Sequence, residues 1–134
     1  MNDHNSKQPS LSEGTVIWAD FPRQSLPDRR ESGHEMQGKH PAVVVSCPEK
    51  VGKRFDSLIV APLTKLTVQK LKAWVLPHAP LYLLLPAGAA NLQQDSIVLI
   101  DQIRFLDARR VLGIQGKLTP VQFKFIKNSV RLIL

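Results

Sequence analysis

The sequence predicts a mainly β protein with a single C-terminal helix, and three observations support this fold class. Short runs of β-branched and aromatic residues recur along the chain and are separated by turn-forming residues. Ten prolines in 134 residues favour many short elements over long helices. A sustained helical spacing of apolar residues follows only Thr119-Pro120, which has the form of a helix N-cap followed by proline at the first helical position.

The first half of the chain holds three predicted strands, at residues 14–21, 40–47 and 56–63. We expect the third strand to end near Pro62 and to present Thr64 at its terminus. A turn is predicted at residues 48–54. The segment at residues 65–72 alternates basic and apolar residues, and its periodicity fits either a turn of helix or an extended edge.

The second half is predicted to contain a short strand at residues 82–85 and a long one that runs without a break from 96 to 105. A turn at residues 86–91 lies between them. A further strand at 111–117 precedes the helix, in which Val121, Phe125, Ile126 and Val130 recur at helical spacing.

Length and composition favour one soluble domain over residues 13–134, preceded by a disordered tail at 1–12. No stretch reaches the roughly 20 apolar residues needed to cross a bilayer. The lone Cys47 excludes an internal disulfide and fits a reducing cytoplasm. No metal-ligand spacing or phosphate-binding glycine loop occurs, so we expect neither a metal ion nor another cofactor. The net charge of +7 favours a polyanionic partner, either nucleic acid or an acidic protein.

The stretch at residues 33–46 joins a long polar loop, predicted at 22–37, to a buried strand. Pro41 marks the entry into the sheet, since proline is tolerated at the start of a strand. Polar groups on such a loop stand at the rim of a rigid scaffold, where binding and catalysis often take place.

Three blocks of the sequence, in the same order as in the family, resemble the MazF/PemK toxins. They are Gly-Thr-Val-Ile-Trp-Ala-Asp-Phe at 14–21, Gly-His-Glu-Met-Gln-Gly-Lys-His-Pro-Ala-Val-Val-Val-Ser at 33–46, and Asp-Ser-Ile-Val-Leu-Ile-Asp-Gln-Ile-Arg at 95–104. Thr64 ends a Pro-Leu-Thr sequence that matches the Pro-x-Thr of the family. The resemblance covers most of the chain from Gly14 onward.

The resemblance implies a small antiparallel SH3-like barrel of the CcdB/PemK type with a C-terminal helix, assembled as a homodimer. It also implies the toxin of a type II toxin-antitoxin system, a metal-independent endoribonuclease that cleaves single-stranded RNA at selected sequences through a 2′,3′-cyclic phosphate. The implied protein partner is a cognate antitoxin whose acidic tail covers the RNA groove.

Candidate site residues follow from the same resemblance. Those implied for catalysis are His40, Thr64, Asp101 and His34, and those implied for RNA contact are Arg23, Glu35, Lys39, Gln102 and Arg104. Thr64 is expected to donate its hydroxyl to the phosphate. Asp101 is expected to orient the catalytic groups or to accept a hydrogen bond from a base edge.

His40 stands where the family usually has an arginine before the proline. Arginine offers a permanent charge and a two-pronged donor that imidazole lacks, whereas histidine can act as an acid or base near neutral pH. One hypothesis is therefore a ribonuclease with a changed division of labour, in which Lys39 supplies charge. The alternative is a non-catalytic module that binds nucleic acid or protein through its basic face. A toxin of this fold that acts on a protein such as gyrase is a third alternative, which the positive charge disfavours.

Overall fold

The computed structural model describes residues 11–23, 37–47 and 57–133. Several predicted features lie outside these ranges. They are most of the N-terminal tail, nearly all of the loop at 22–37 with His34 and Glu35, and the turn at 48–54.

Within the described ranges, seven strands form one antiparallel sheet. They are β1 Thr15–Phe21, β2 Gly38–Ser46, β3 Ser57–Lys65, β4 Tyr82–Leu85, β5 Ser96–Leu99, β6 Arg104–Asp107 and β7 Val111–Lys117. The strand order is β4-β5-β3-β2-β1-β7, and β6 also pairs with β3. The predicted mainly antiparallel architecture is confirmed.

Strand β3 is the branch point of the sheet. One side pairs with β2, while the other side pairs with β6 at residues 57–60 and with β5 at residues 63–65. Pro62 pairs with Ala42 of β2 on one side, and on the other side it falls between the residues that pair with β6 and those that pair with β5, so its missing N–H is opposed by no strand on that side. The prediction that β3 ends near Pro62 was therefore wrong, and the strand continues through Thr64.

The segment after β3 is helical, which resolves the alternative left open at residues 65–72. The helix continues to His78, so the expectation of a single helix at the C-terminus was wrong. It consists of α1 Val68–Lys70, a π-helical turn Leu71–Val75 and α2 Leu76–His78, and we call residues 68–78 the connecting helix. The hydroxyl of Thr67 caps α1 by accepting a hydrogen bond from the backbone N–H of Lys70 at 3.1 Å. Buried Val75 packs against Ile97 and Leu99, so the connecting helix is anchored to β5.

The predicted strand at 96–105 is interrupted by a 3-10 turn at Ile100–Gln102. The reason is topological, because β5 and β6 pair with opposite ends of β3 and the chain must turn between them. Ile100 remains fully buried within the turn, which explains why the apolar pattern runs on through the interruption.

Both faces of the central strands are buried, which accounts for their nearly continuous apolar runs. One face packs under the C-terminal helix α3, Pro120–Ile133, through Phe123, Ile126 and Val130. The opposite face forms a second cluster to which Leu106 of β6 and Val111 of β7 both contribute. Because these two edge strands meet over one core, the sheet curves into a barrel.

A capping box starts α3, as its sequence predicts. The hydroxyl of Thr119 accepts a hydrogen bond from the backbone N–H of Gln122 at 3.1 Å, and the Gln122 side chain accepts one from the Thr119 N–H at 3.0 Å. In the part of the chain that the structure describes, no helix is long and apolar enough to span a membrane.

Candidate functional site

A groove of about 480 Å³ opens where β1, β2, β3 and β7 come together. Most of its lining side chains are polar or basic. The lining residues are Trp18, Lys39, His40, Pro41, Leu63, Thr64, Lys65, Leu92, Gln93, Gln94, Ser96 and Gln115. The groove therefore offers cations and hydrogen-bond donors above an apolar floor.

His40 and Thr64, two of the residues predicted for catalysis, line this groove together. Sheet register explains their proximity. Ala42 of β2 pairs with Pro62 of β3, and His40 and Thr64 each lie two residues beyond this pair, so both stand at the same end of the β2–β3 ladder. Both side chains are partly accessible to solvent.

The His40 ring is oriented by its own backbone neighbourhood. Its Nε2 lies 2.8 Å from the carbonyl oxygen of Gln37, and since a carbonyl can only accept, Nε2 carries the hydrogen of this bond. In the neutral ring Nδ1 then holds the free lone pair. His40 is thus set up to accept a proton at Nδ1.

The groove is cationic. Lys39 at the start of β2 and Lys65 at the end of β3 both line it and are exposed. Among the described residues that form its walls, none is an aspartate or a glutamate. Such a surface suits a phosphate-bearing ligand.

Trp18 and Gln115 form a wall of the groove that sequence reasoning missed. The indole N–H of Trp18 donates to the side-chain oxygen of Gln115 at 2.8 Å, although the two residues lie 97 positions apart. Gln115 in turn donates to the carbonyl of Asn91 at 2.6 Å, which ties β7 to the turn before β5. Trp18 remains 41% exposed, so much of its ring is open to a ligand.

The side chain of Lys70, a residue that the sequence did not single out, also reaches the site. Its ammonium group donates to the hydroxyl of Thr64 at 2.9 Å and to the carbonyl of Lys65 at 3.0 Å. It also lies 5.6 Å from the centre of the Trp74 ring. The sequence signal was weak, because a lysine in a segment of uncertain secondary structure has no predicted direction.

Asp101 lies in the 3-10 turn after β5 and is not among the groove-lining residues. Its carboxylate accepts a hydrogen bond from the Tyr82 hydroxyl at 2.5 Å. Burial of the phenol, then this hydrogen bond and the negative charge of Asp101, raise the pKa of Tyr82 to about 12. Gln102 follows in the same turn and is partly buried.

The two predicted RNA-binding arginines lie near the end of β1, outside the groove lining. The Arg104 guanidinium sits 4.3 Å from the centre of the buried Phe21 ring. Arg23 lies beside Gly38, since a Cβ at this glycine would be 3.8 Å from Arg23 Nη2. Arg110 adds a third cation there and donates to the carbonyl of Asp20 at 3.1 Å. His34 and Glu35 fall outside the described ranges.

Within residues 11–23, 37–47 and 57–133, no group of three His, Cys, Asp or Glu side chains is arranged to hold a metal ion.

Comparison with known proteins relates the chain to one toxin family. Residues 12–134 match the family described as the PemK-like, MazF-like toxin of type II toxin-antitoxin systems. No curated protein gives a significant sequence match.

Two crystal structures from Deinococcus radiodurans share the fold. MazF in its first crystal form has a TM-score of 0.61 at 20% identity, with 91% of this chain and 94% of that chain covered. The MazE-MazF structure in its second form has a TM-score of 0.61 at 22% identity, with 93% and 96% covered.

Proposed function

The chain belongs to the PemK-like, MazF-like toxin family of type II toxin-antitoxin systems, and we propose that it is an endoribonuclease that cleaves single-stranded RNA without a metal ion. The observation that carries the proposal is the meeting of His40 and Thr64 in one cationic groove. A proton acceptor, a hydroxyl donor and ammonium groups are what RNA cleavage by the 2′-hydroxyl requires.

In the proposed reaction, Nδ1 of His40 accepts the proton of the 2′-hydroxyl as its oxygen attacks the adjacent phosphorus. The bond from phosphorus to the 2′-oxygen forms and the bond to the 5′-oxygen breaks, which leaves a 2′,3′-cyclic phosphate. The departing 5′-oxygen takes its proton from water in the open groove. The Thr64 hydroxyl donates to a non-bridging phosphate oxygen, where negative charge builds up.

Trp18 supports the choice of a single-stranded substrate. Bases of unpaired RNA are free to stack on aromatic side chains, whereas bases within a duplex are not. An exposed indole beside two lysines gives a stacking surface for a base next to the contacts for its phosphate. The glutamines at 93 and 94 offer amide groups for base edges.

The proposed assembly is a cytoplasmic homodimer that is restrained by an acidic antitoxin. Support for the dimer comes from an apolar stripe on the outer face of α3, where Val121, Phe125 and Leu132 are 68%, 65% and 70% exposed. Support for an acidic partner comes from the net charge of +7 and from the arginines near the end of β1.

The test is incubation of the purified chain with a long single-stranded RNA in EDTA, followed by mapping of the ends. Wild type is expected to leave cyclic phosphate ends, and Thr64→Ala and His40→Gln are expected to lose cleavage. Thr64→Ser is the matched control, because it keeps the hydroxyl and should keep activity. Full activity in both Thr64→Ala and His40→Gln would contradict the site assignment.

The alternative is a module that binds RNA or protein without cutting, and the observation that favours it is His40 in the place of the family's arginine. Under this alternative the wild type binds single-stranded RNA without cleaving it, and His40→Arg creates cleavage. Cleavage by the wild type eliminates the alternative.

A further inference from the structure

Lys70 differs from the other lysines near the groove in how closely it is held. Two of its three N–H groups are directed at protein oxygens, one on the Thr64 side chain and one on the Lys65 backbone. Thr67 fixes the backbone of Lys70 by capping its helix. The Trp74 ring faces the ammonium group at 5.6 Å.

The residues around Lys70 leave its positive charge available to a ligand. Among the residues that the structure describes, no carboxylate forms an ion pair with Lys70. Lys70 is also partly buried, whereas Lys39 and Lys65 are exposed. Water screens an exposed ammonium group strongly, so an equally distant phosphate interacts more strongly with the partly buried one.

We propose that Lys70 is the positioning cation of the RNA-cleaving site, acting through the Thr64 hydroxyl on the phosphate that is attacked. This proposal rests on the proposed function. By donating to Thr64 Oγ1, Lys70 occupies a lone pair of that oxygen and leaves the hydroxyl hydrogen to point elsewhere. The hydroxyl hydrogen is then directed at the phosphate oxygen, and the nearby positive charge strengthens the bond that it donates.

Lys70 thereby supplies a positive charge beside Thr64 that does not come from His40. The proton acceptor and the cation come from different elements, since His40 lies on β2 and Lys70 lies at the end of α1, beyond β3. A site with this division of labour keeps its cation when the histidine is neutral and able to accept a proton.

The experiment compares Lys70→Met, Lys70→Gln and Lys70→Arg with wild type in single-turnover cleavage of single-stranded RNA in EDTA. Lys72→Met, an exposed lysine of the same connecting helix, is the matched control. Binding of an RNA with blocked 2′-hydroxyls separates affinity from reaction. Thermal unfolding of every variant verifies that the fold is intact.

Lys70→Met is expected to slow cleavage by about 100-fold, the size of effect seen when a donor that stabilises developing negative charge is lost. Its affinity for the blocked RNA should change far less than its rate. Lys70→Gln keeps a donor without the charge and should be slow as well, while Lys70→Arg should recover part of the rate. Lys72→Met should cleave like wild type.

The outcomes separate the two proposals. If the wild type cleaves and Lys70→Met cleaves equally fast, the role of Lys70 is overturned while the ribonuclease proposal stands. Full activity in Lys70→Gln overturns the role of the charge. If the wild type does not cleave single-stranded RNA, the proposed function fails, and the role of Lys70 fails with it.

Discussion

Tyr82 donates its phenolic hydrogen to the carboxylate of Asp101 across 2.5 Å. The bond fastens the 3-10 turn after β5 to the first residue of β4. It also borders a small aromatic group, since the Tyr82 ring centre lies 6.0 Å from that of Trp74 and 6.1 Å from that of His78. The carboxylate that the family resemblance assigned to catalysis thus has a structural partner.

Replacing Asp101 by asparagine should lower the pKa of Tyr82 from about 12 toward the ordinary value, because the opposing negative charge is removed. Burial of the phenol remains, so the pKa should stay above the usual value of about 10. The chain has one tyrosine, so its ultraviolet absorbance during an alkaline titration reports this group alone. Asp95→Asn, a change at the far end of β5, serves as control, and an unchanged midpoint in Asp101→Asn would refute the contribution of the carboxylate.

The same raised pKa links Tyr82 to stability. The folded chain favours the neutral phenol, so this contribution is complete below the unfolded pKa of about 10 and is lost as the pH rises through about 12. We expect the wild type to lose stability relative to Tyr82→Phe over this interval, since phenylalanine does not ionise. Urea unfolding at several alkaline pH values measures the difference, and parallel curves for the two proteins would contradict the linkage.

Trp18→Ala should weaken binding of single-stranded RNA by about 1–3 kcal/mol, the contribution of one stacked base. Trp18→Phe loses the hydrogen bond to Gln115 but keeps an aromatic face, so it should retain most of the affinity. Binding titrations with an uncleavable RNA measure both variants. Phe105→Ala removes an exposed aromatic residue from β6 and is the control, and equal affinities for Trp18→Ala and this control would rule out stacking at Trp18.

Gly116→Ala should destabilise the fold by about 1–3 kcal/mol, as overpacking commonly does. A Cβ at residue 116 would lie 2.5 Å from the carbonyl oxygen of Ala90, which belongs to the backbone and yields little. Gly113 of the same strand has open space at its Cβ position, so Gly113→Ala is a matched control that should change stability less. Chemical denaturation measures the free energy of unfolding of both variants. Equal values would show that the backbone at Ala90 shifts to make room for the added Cβ.

Phe125→Lys should convert the proposed dimer into monomers, because it inserts a charge into the exposed apolar stripe of α3. Sedimentation analysis of the purified chain measures the mass. Val68→Lys is the control, as Val68 is 66% exposed on the connecting helix, away from α3. A dimer that survives Phe125→Lys would place the interface on another surface.

The sequence predicted the strands well wherever a β-branched run was bounded by turn residues. The strand at 111–117 was placed at its observed limits, and the helix start was predicted from Thr119 and Pro120 because capping depends on neighbouring residues alone. The errors at Pro62 and at the turn after β5 share a cause. Both depend on which strand lies beside β3, and pairing partners are not encoded in a local pattern.

The residues of the site show the same difference between local patterns and long-range contacts. His40 and Thr64 belong to short motifs, so the family resemblance found them. Lys70 and the bond between Trp18 and Gln115 result from the folded path of the chain, and no spacing rule brings residues 18 and 115 together. His34 and Glu35 remain predictions.

The connecting helix leaves the sheet at the end of β3 and returns to it at β4, which pairs with β5 beside that same end. Both of its attachments therefore belong to one half of the sheet. Changes of length in this segment can alter the position of Lys70 and Trp74 as long as Val75 keeps its packing on Ile97 and Leu99. The segment that carries Lys70 and Trp74 can therefore diverge in sequence with little effect on the rest of the sheet.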